Sequence, residues 1–122
     1  MVEEEIILTR GGVYLARLDL EKGAEIGKIR PVVVLTAQSV LDIKPPIAFV
    51  CPLSCQSQPA FSALHVFLPS RDNLEVDSYA LVEHTRALSL QRLSFPRIAQ
   101  LTSAEIHLVL KRLQQLIGVS TI

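Results

Sequence analysis

The order of apolar and polar positions divides the chain into short β-rich segments followed by one helical segment. An unbroken, largely β-branched run at residues 31–36 is typical of a strand that is covered on both faces. A short helical turn is expected at residues 89–93. Further strands are predicted at residues 13–18, 47–51, 63–68, 78–86 and 94–99.

The connections between these strands are polar or contain proline. Pro52 is expected to halt the pairing of the third strand, because proline has no backbone N–H to donate. Residues 54–62 contain Ser, Gln and Pro without periodicity, which indicates a mobile connection. Residues 69–77 are expected to form a turn region.

The last segment changes to the three-and-four spacing of an amphipathic helix. Thr102 and Glu105 are spaced as a capping box at its start, and Gly118 suits its C-terminal cap. Several short strands with one terminal helix describe a small β-barrel closed by that helix. The apolar positions of the helix are Ile106, Val109, Leu110, Leu113, Leu116 and Ile117.

Composition predicts a single domain. The chain has 122 residues, of which 49% are hydrophobic, enough for one core, so residues 1–122 are assigned to one domain with residues 1–9 as an acidic N-terminal extension. The longest apolar runs are far shorter than the roughly 20 residues that span a bilayer. The start is acidic where a secretory signal would be basic, so a cytoplasmic location and no membrane partner are expected.

Net charge and cysteine spacing exclude few classes of function. Twelve basic and twelve acidic residues cancel, which gives no indication of a polyanionic partner. Cys51 and Cys55 would lie about 13 Å apart in extended chain, too far for a disulfide. Without further ligands nearby they make a poor zinc site, so buried structural cysteines, no metal site and no cofactor are expected.

Arg30 is the first candidate functional residue, because it stands where a charged, glycine-containing loop meets the buried run. Its guanidinium stays charged and requires a carboxylate, a phosphate or water as a partner. Pro31 restricts Arg30 to an extended conformation, so the side chain points in one direction. Glu25 is near enough in sequence to share the same pocket.

Several short motifs recur in a fixed order along the chain: G-V-Y at residues 12–14, G-A-E at 23–25, R-P-V-V-V at 30–34, P-L-S-C-Q at 52–56, E-H-T-R at 83–86 and Q-R-L at 91–93, followed by the terminal helix. In this order and spacing they resemble the MazF/PemK family of bacterial toxins, which are endoribonucleases. The resemblance covers nearly the whole chain from about Arg10 onward, and the order and spacing of the motifs are more specific than any one of them.

This resemblance implies a mainly β fold, a small SH3-like barrel of the CcdB/PemK kind with a C-terminal α-helix. It also implies a homodimer and a cognate antitoxin whose acidic, flexible tail blocks the active groove. DNA binding is expected only through the toxin–antitoxin complex. The implied activity is sequence-specific, metal-independent cleavage of single-stranded RNA that arrests growth and leaves a 2′,3′-cyclic phosphate and a 5′-hydroxyl.

The resemblance also assigns roles to residues. Arg30 falls on the family's catalytic arginine and Ser54 on its catalytic Thr/Ser. A bidentate guanidinium is well shaped to stabilise a crowded phosphorane, so we interpret Arg30 as a phosphate clamp and Ser54 as a neutral donor. The 2′-hydroxyl proton acceptor is left open among Glu25, Glu83 and His84. The positions that line the RNA groove are Glu25, Gln56, Glu83, His84 and Arg86.

Each role has a structural alternative. Composition alone favours a structural role for Arg30, in which it pairs with Glu25 and holds the loop, over a catalytic role. The whole-chain resemblance reverses this ranking and favours catalysis. Ser54 would otherwise be a turn residue. Glu83 would otherwise pair with Arg86 at the surface, a contact worth below about 1 kcal/mol. His65, among apolar neighbours, is expected to be structural.

A different function class also fits the barrel. A gyrase-binding toxin of the CcdB type acts by protein contact through its C-terminal residues and catalyses nothing. The chain ends V-S-T-I without an aromatic anchor, which weakens this alternative. A third alternative is a degenerate barrel that only binds its antitoxin. The cut sequence is expected to depend on the loops at residues 37–43 and 56–62, and the class of target RNA stays open.

Overall fold

The structure, a computed structural model, describes residues 7–18 and 28–119. The strands are β1 Gly12–Arg17, β2 Ile29–Val34, β3 Ile47–Ser54, β4 Val66–Leu68, β5 Ser78–Ala80, β6 Arg86–Ser89 and β7 Leu93–Gln100, and the helices are α1 Gln38–Leu41 and α2 Ser103–Ile117. The strands form an antiparallel sheet in the order β4-β5-β3-β2-β1-β7, with β6 paired to β3 off this path. The 15-residue helix α2 follows the last strand. The mainly β fold with a C-terminal helix is as predicted.

The second half of β2, residues 32–34, is buried on both faces, as the unbroken apolar run predicts. Val32, Val33 and Val34 are fully buried. Alternate side chains of a strand point to opposite faces, so Val33 enters one core cluster while Val32 and Val34 enter another. The sheet therefore separates two cores, and α2 packs against the first of them through Val109.

The second core includes a residue that the sequence assigns to the acidic N-terminal extension. Leu8 is only 4% exposed and packs with Tyr14 and Leu18. The hydroxyl oxygen of Tyr14 accepts a hydrogen bond from the Thr9 amide at 3.1 Å. Residues 7–9 are therefore part of the packed domain. Residues 1–6 lie outside the described part of the chain.

The prediction that Pro52 halts the third strand is wrong. β3 continues to Ser54, and Pro52 lies opposite Val32 of β2. On its other side β3 changes partner, from β6 at residues 47–50 to β5 at residues 53–54. The missing N–H thus falls where a ladder hydrogen bond is not required. The Pro52 carbonyl accepts from the Leu81 N–H at 2.9 Å.

Three other segments differ from prediction. Residues 59–64 form a 3-10 turn, so the fourth strand begins only at Val66. The single strand expected at residues 78–86 is instead β5 and the start of β6, separated by a 3-10 turn, Val82–His84. The short helix α1 lies within residues 37–43, where no helix is predicted. The expected turn near residues 89–93 is present at Leu90–Arg92.

The predicted caps of α2 are confirmed. Thr102 accepts from the Glu105 amide, and the Glu105 carboxylate accepts in return from the Thr102 amide at 2.8 Å. Gly118 ends the helix with φ of 82°, a left-handed conformation that suits glycine. The apolar face is shorter than predicted, because Leu116 and Ile117 are 39% and 65% exposed.

The difference in burial along α2 gives a stability prediction. Leu113 is partly buried against the first core, so Leu113→Ala is expected to cost about 2 kcal/mol, the low end for a core leucine. Leu116→Ala, one turn further along the helix at an exposed site, should stay within about 0.5 kcal/mol. Urea unfolding of both variants measures the difference. Equal losses would mean that the end of α2 docks differently.

Candidate active site

Arg30 and Ser54 are brought together by the pairing of two neighbouring strands. In the β2–β3 register Val32 lies opposite Pro52, Val33 opposite Cys51 and Val34 opposite Val50, so paired numbers add to 84. Continued by two residues, this register places Arg30 across from Ser54. The two residues that were predicted as catalytic therefore meet at the open ends of β2 and β3.

A cavity of about 530 Å³ lies at this junction. Its size is within the range of small-ligand sites. Arg30 and Ser54 both line it, together with residues from β1, β7 and the β4–β5 connection. The lining is Leu15, Lys28, Ile29, Arg30, Pro31, Leu53, Ser54, Cys55, Asn73, Leu74, Glu75, Val76, Ser78 and Ile98.

The guanidinium of Arg30 has no partner in the part of the chain that the structure describes. Its Nε is inaccessible to solvent and makes no hydrogen bond, and no described carboxylate forms an ion pair with it. A buried polar group without a partner is costly and therefore calls for an explanation. An anion entering the cavity would satisfy this donor. Glu25, the predicted neighbour, lies outside the described residues.

The hydroxyl of Ser54 is oriented by its own loop. Its oxygen accepts a hydrogen bond from the Gln56 backbone N–H at 3.1 Å. This contact is the local turn bond expected of a structural serine. It uses a lone pair of the oxygen and leaves the hydroxyl proton available. Ser54 can therefore hold the turn and donate to an anion in the cavity at the same time.

Glu83 is committed to a buried histidine. Both of its carboxylate oxygens lie 2.8 Å from His65 Nε2, and His65 Nδ1 lies 2.6 Å from the Ser57 hydroxyl. The side chains of His65 and Glu83 are 1% and 11% exposed. His65 is thus structural, as expected, and Glu83 pairs with it rather than with Arg86. The network ties the β3–β4 connection to the turn after β5.

The other predicted groove residues lie outside the lining of the cavity. Gln56 is exposed on the connection that follows Ser54, and Arg86 is exposed at the start of β6, opposite Val50. His84 is half-buried, with its Nε2 3.9 Å from a Glu83 oxygen. Gln56, Glu83, His84 and Arg86 are therefore not among the residues that line the cavity with Arg30 and Ser54.

The two cysteines differ in environment. Cys51 is buried in the first core, and this burial raises the pKa of its thiol to about 12. The thiol therefore stays protonated and unreactive, and its role is to pack in the core. Cys55 is exposed at the cavity, contrary to the expectation of two buried thiols. Neither forms a disulfide. Residues 7–18 and 28–119 contain no group of three acidic, histidine or cysteine side chains arranged to hold a metal.

Sequence reasoning missed one wall of the cavity. Residues 69–77 were expected only as a turn region, yet Asn73, Glu75 and Val76 line the cavity beside Arg30. Leu74, between them, is buried in the first core. The alternation of one apolar residue with polar neighbours was the available signal, although it is too short to place the segment at the site.

An ion pair fixes this wall to the terminal helix. Arg71 is bidentate to Glu105, with Nη1 on one carboxylate oxygen and Nη2 on the other, the latter at 2.6 Å. The hydrogen bond from Arg71 lowers the pKa of the Glu105 carboxyl, and the same contact raises the pKa of Arg71. Glu105 also caps α2, so one carboxylate links the cavity wall to the helix start.

Glu105 makes stability depend on acid pH. Because folding lowers its pKa, its contribution is complete above the ordinary glutamate value near 4.3 and is lost as pH falls through the lower folded pKa. Glu105→Gln should therefore be destabilised at pH 7, and its deficit relative to wild type should shrink below about pH 4. Urea unfolding at several pH values tests this. A deficit that is constant with pH would contradict the ionised bridge.

Comparison with known proteins identifies the family. Residues 9–117 match the family described as PemK-like, MazF-like toxin of type II toxin-antitoxin system. The chain belongs to this family. It is also 36% identical over 90 residues to endoribonuclease EndoA of Bacillus subtilis (strain 168), a match that covers 73% of the chain and 77% of the relative.

Solved structures show that the PemK/MazF-like fold extends over almost the whole chain. MazF from Deinococcus radiodurans superposes with a TM-score of 0.78 at 20% identity, covering 93% of this chain and 99% of that one. The MazE–MazF structure from the same organism gives 0.72 at 20% identity, covering 95% and 100%. No helix in the described part of the chain is long and apolar enough to cross a membrane.

Proposed function

We propose that the chain is a sequence-specific, metal-independent endoribonuclease toxin that cleaves single-stranded RNA, arrests growth and is neutralised by a cognate antitoxin. The observation that carries the proposal is that Arg30, whose guanidinium has no partner among residues 7–18 and 28–119, lines one cavity together with Ser54. Membership of the toxin family and the likeness to EndoA support it. Single-stranded RNA suits the cavity because its unstacked bases can enter a pocket.

The proposed reaction needs only groups of the chain, the RNA and water. The ribose 2′-oxygen attacks the neighbouring phosphorus, the bond from phosphorus to the 5′-oxygen breaks, and a cyclic phosphate and a 5′-hydroxyl result. Arg30 donates two hydrogen bonds to the phosphorane and Ser54 donates a third, so negative charge is stabilised where it develops. The leaving 5′-oxygen takes a proton from water.

The acceptor of the 2′-hydroxyl proton is proposed by elimination. Of the three candidates, Glu83 is held by His65 and His84 lies outside the cavity lining. We therefore propose Glu25, which lies five residues before Arg30 in the sequence, as the proton acceptor. Arg30 itself is a poor base because its pKa lies above about 12.

The proposed partners follow from the family and the charges of the cavity. A mycobacterial endoribonuclease that is similar in fold to this chain has been solved in complex with its cognate antitoxin. We extend this to a cognate antitoxin whose acidic tail would pair with Lys28 and Arg30 in the cavity. A homodimer in the cytoplasm, with DNA binding only through the complex, completes the proposal, and light scattering of the purified protein tests the dimer.

Cleavage of single-stranded RNA in the presence of EDTA tests the activity. We expect fragments whose 5′ ends accept phosphate from polynucleotide kinase without prior phosphatase treatment, as free 5′-hydroxyls do. Sequencing these ends gives the cut site. Activity that disappears in EDTA, or fragments with 5′-phosphates, would contradict the proposed chemistry.

A further inference from the structure

The β4–β5 connection, residues 69–77, is held rigidly at the cavity. Arg71 and Leu74 exchange backbone hydrogen bonds at 3.0 and 2.8 Å, and the Ser70 amide donates to the Asp77 carboxylate at 2.8 Å. The backbone N–H of Asn73 donates a hydrogen bond to the backbone carbonyl of Ile98 in β7 at 2.9 Å. With the Arg71–Glu105 bridge and the buried Leu74 side chain, these contacts fix the connection before any ligand binds.

Two polar side chains on this rigid segment are left unused. Asn73 and Glu75 line the cavity, and neither side chain forms a hydrogen bond or ion pair with the described residues. The contacts that anchor the segment are made by the backbone of Asn73 and by other residues of the connection, so these two side chains take no part in them. A pre-organised segment that presents a free amide and a free carboxylate to an anion-binding cavity is suited to recognising the group next to that anion.

The cavity also offers apolar surface for a flat ring. Ile29 and Val76 are 65% and 58% exposed and belong to its lining, as do Leu15 and Ile98. A nucleobase could contact these side chains with its faces while its edge meets Asn73 and Glu75. The phosphate attached to the same nucleoside would then be within the part of the cavity that holds Arg30 and Ser54.

The polar pair favours one base by its hydrogen-bonding pattern. An ionised carboxylate can only accept hydrogen bonds. Guanine presents two adjacent donors on its Watson–Crick edge, the ring N1–H and the N2 amino group, and its O6 accepts from an amide. Adenine and cytosine place an acceptor nitrogen beside their amino group, and uracil flanks its one N–H with two carbonyl oxygens. Only guanine satisfies both carboxylate oxygens.

From this geometry we infer that Asn73 and Glu75 form a guanine-recognition subsite beside the phosphate clamp, and that they set the base preference of the proposed nuclease. Glu75 accepts from N1–H and N2–H, and Asn73 donates to O6. The inference rests on the proposed function for its substrate, but its test needs binding alone.

The test compares guanosine with inosine, which lacks only the N2 amino group. Fluorescent hexamers made entirely of 2′-fluoro nucleotides, with uridine at every position except one central 2′-fluoro-guanosine or 2′-fluoro-inosine, have no 2′-hydroxyl and cannot be cleaved by the proposed reaction. Anisotropy titration should give about fivefold or greater preference for guanosine in wild type. In Glu75→Gln the two probes should bind equally. Asn73→Ala should weaken both alike, because both bases carry O6.

Asp72→Asn is the matched control. Asp72 lies on the same connection, is exposed, and does not line the cavity. Its φ of 49° suits asparagine, so the substitution removes one negative charge without strain. This variant should keep the wild-type preference, which separates recognition by Glu75 from a general effect of charge.

Each outcome decides the inference. Equal binding of the two probes by wild type, no binding of either, or a preference that survives in Glu75→Gln would overturn it. A Glu75→Gln variant that cleaves all sequences slowly with an unchanged binding preference would make Glu75 a proton acceptor instead, and would also overturn it. Guanosine preference without cleavage of ordinary RNA would overturn the nuclease proposal and leave the guanine subsite standing.

Discussion

Replacing Arg30 by alanine should lower the rate of RNA cleavage a hundredfold or more. The guanidinium is the strongest donor in the cavity, and its Nε is without a partner in the described structure. Loss of one donor to a developing oxyanion typically costs on the order of 3 kcal/mol of transition-state stabilisation. Single-turnover cleavage of a fluorescent single-stranded RNA in EDTA measures the effect.

Two further variants separate charge from geometry. Arg30→Lys keeps the positive charge but loses the bidentate fork, so its rate should fall between those of wild type and Arg30→Ala. Arg97→Ala removes an exposed arginine of β7 that does not line the cavity and should cleave at nearly the wild-type rate. Undiminished cleavage by folded Arg30→Ala would remove Arg30 from the mechanism, and parallel purification of all variants excludes contaminating ribonucleases.

Replacing Leu68 by alanine should destabilise the fold by about 2 to 5 kcal/mol. Leu68 is fully buried in the first core, where it belongs to the same cluster as Leu53 and Val109. Truncation would leave a cavity where the sheet and α2 meet. A domain of this size has a total stability of about 5 to 15 kcal/mol, so a substantial fraction of that stability would be lost.

The neighbouring residue provides the control. Phe67 carries a larger side chain but is 51% exposed, on the opposite side of β4, where its ring meets Tyr79 edge-on. Phe67→Ala should therefore cost about 1 kcal/mol. Thermal unfolding should show Leu68→Ala melting roughly 10 °C or more below wild type and Phe67→Ala only a few degrees below. The reverse order would contradict the assignment of faces on β4.

Elements were predicted best where local chemistry alone determines them. The apolar run of β2 indicates burial on both faces, and the residues that cap α2 are adjacent to the helix they end. The prediction that Pro52 ends the third strand was wrong because the cost of a missing N–H depends on whether a partner strand requires that donor. At Pro52, β3 changes its partner from β6 to β5. Such a change is a tertiary fact that a local pattern does not contain.

The site was predictable only in part for the same reason. Arg30 and Ser54 carry motif information, and a strand register brings them together. Asn73 and Glu75 are placed at the cavity by Arg71, which reaches Glu105 over 34 positions of sequence, and by contact with β7. The groove residues Gln56, Glu83, His84 and Arg86 share the family's motif, yet the fold places them outside the cavity lining.

Within residues 69–77, some side chains anchor the segment and others line the cavity, and this separation affects how related toxins can diverge. The side chains that anchor the segment, those of Arg71, Leu74 and Asp77, are interspersed with those of Asn73 and Glu75, which line the cavity without taking part in the anchoring contacts. A lineage can therefore exchange residues 73 and 75 without disturbing the contacts that keep the domain folded. If residues 73 and 75 set the base preference as we propose, single codon changes at these two positions would alter that preference while the contacts that keep the domain folded stay in place.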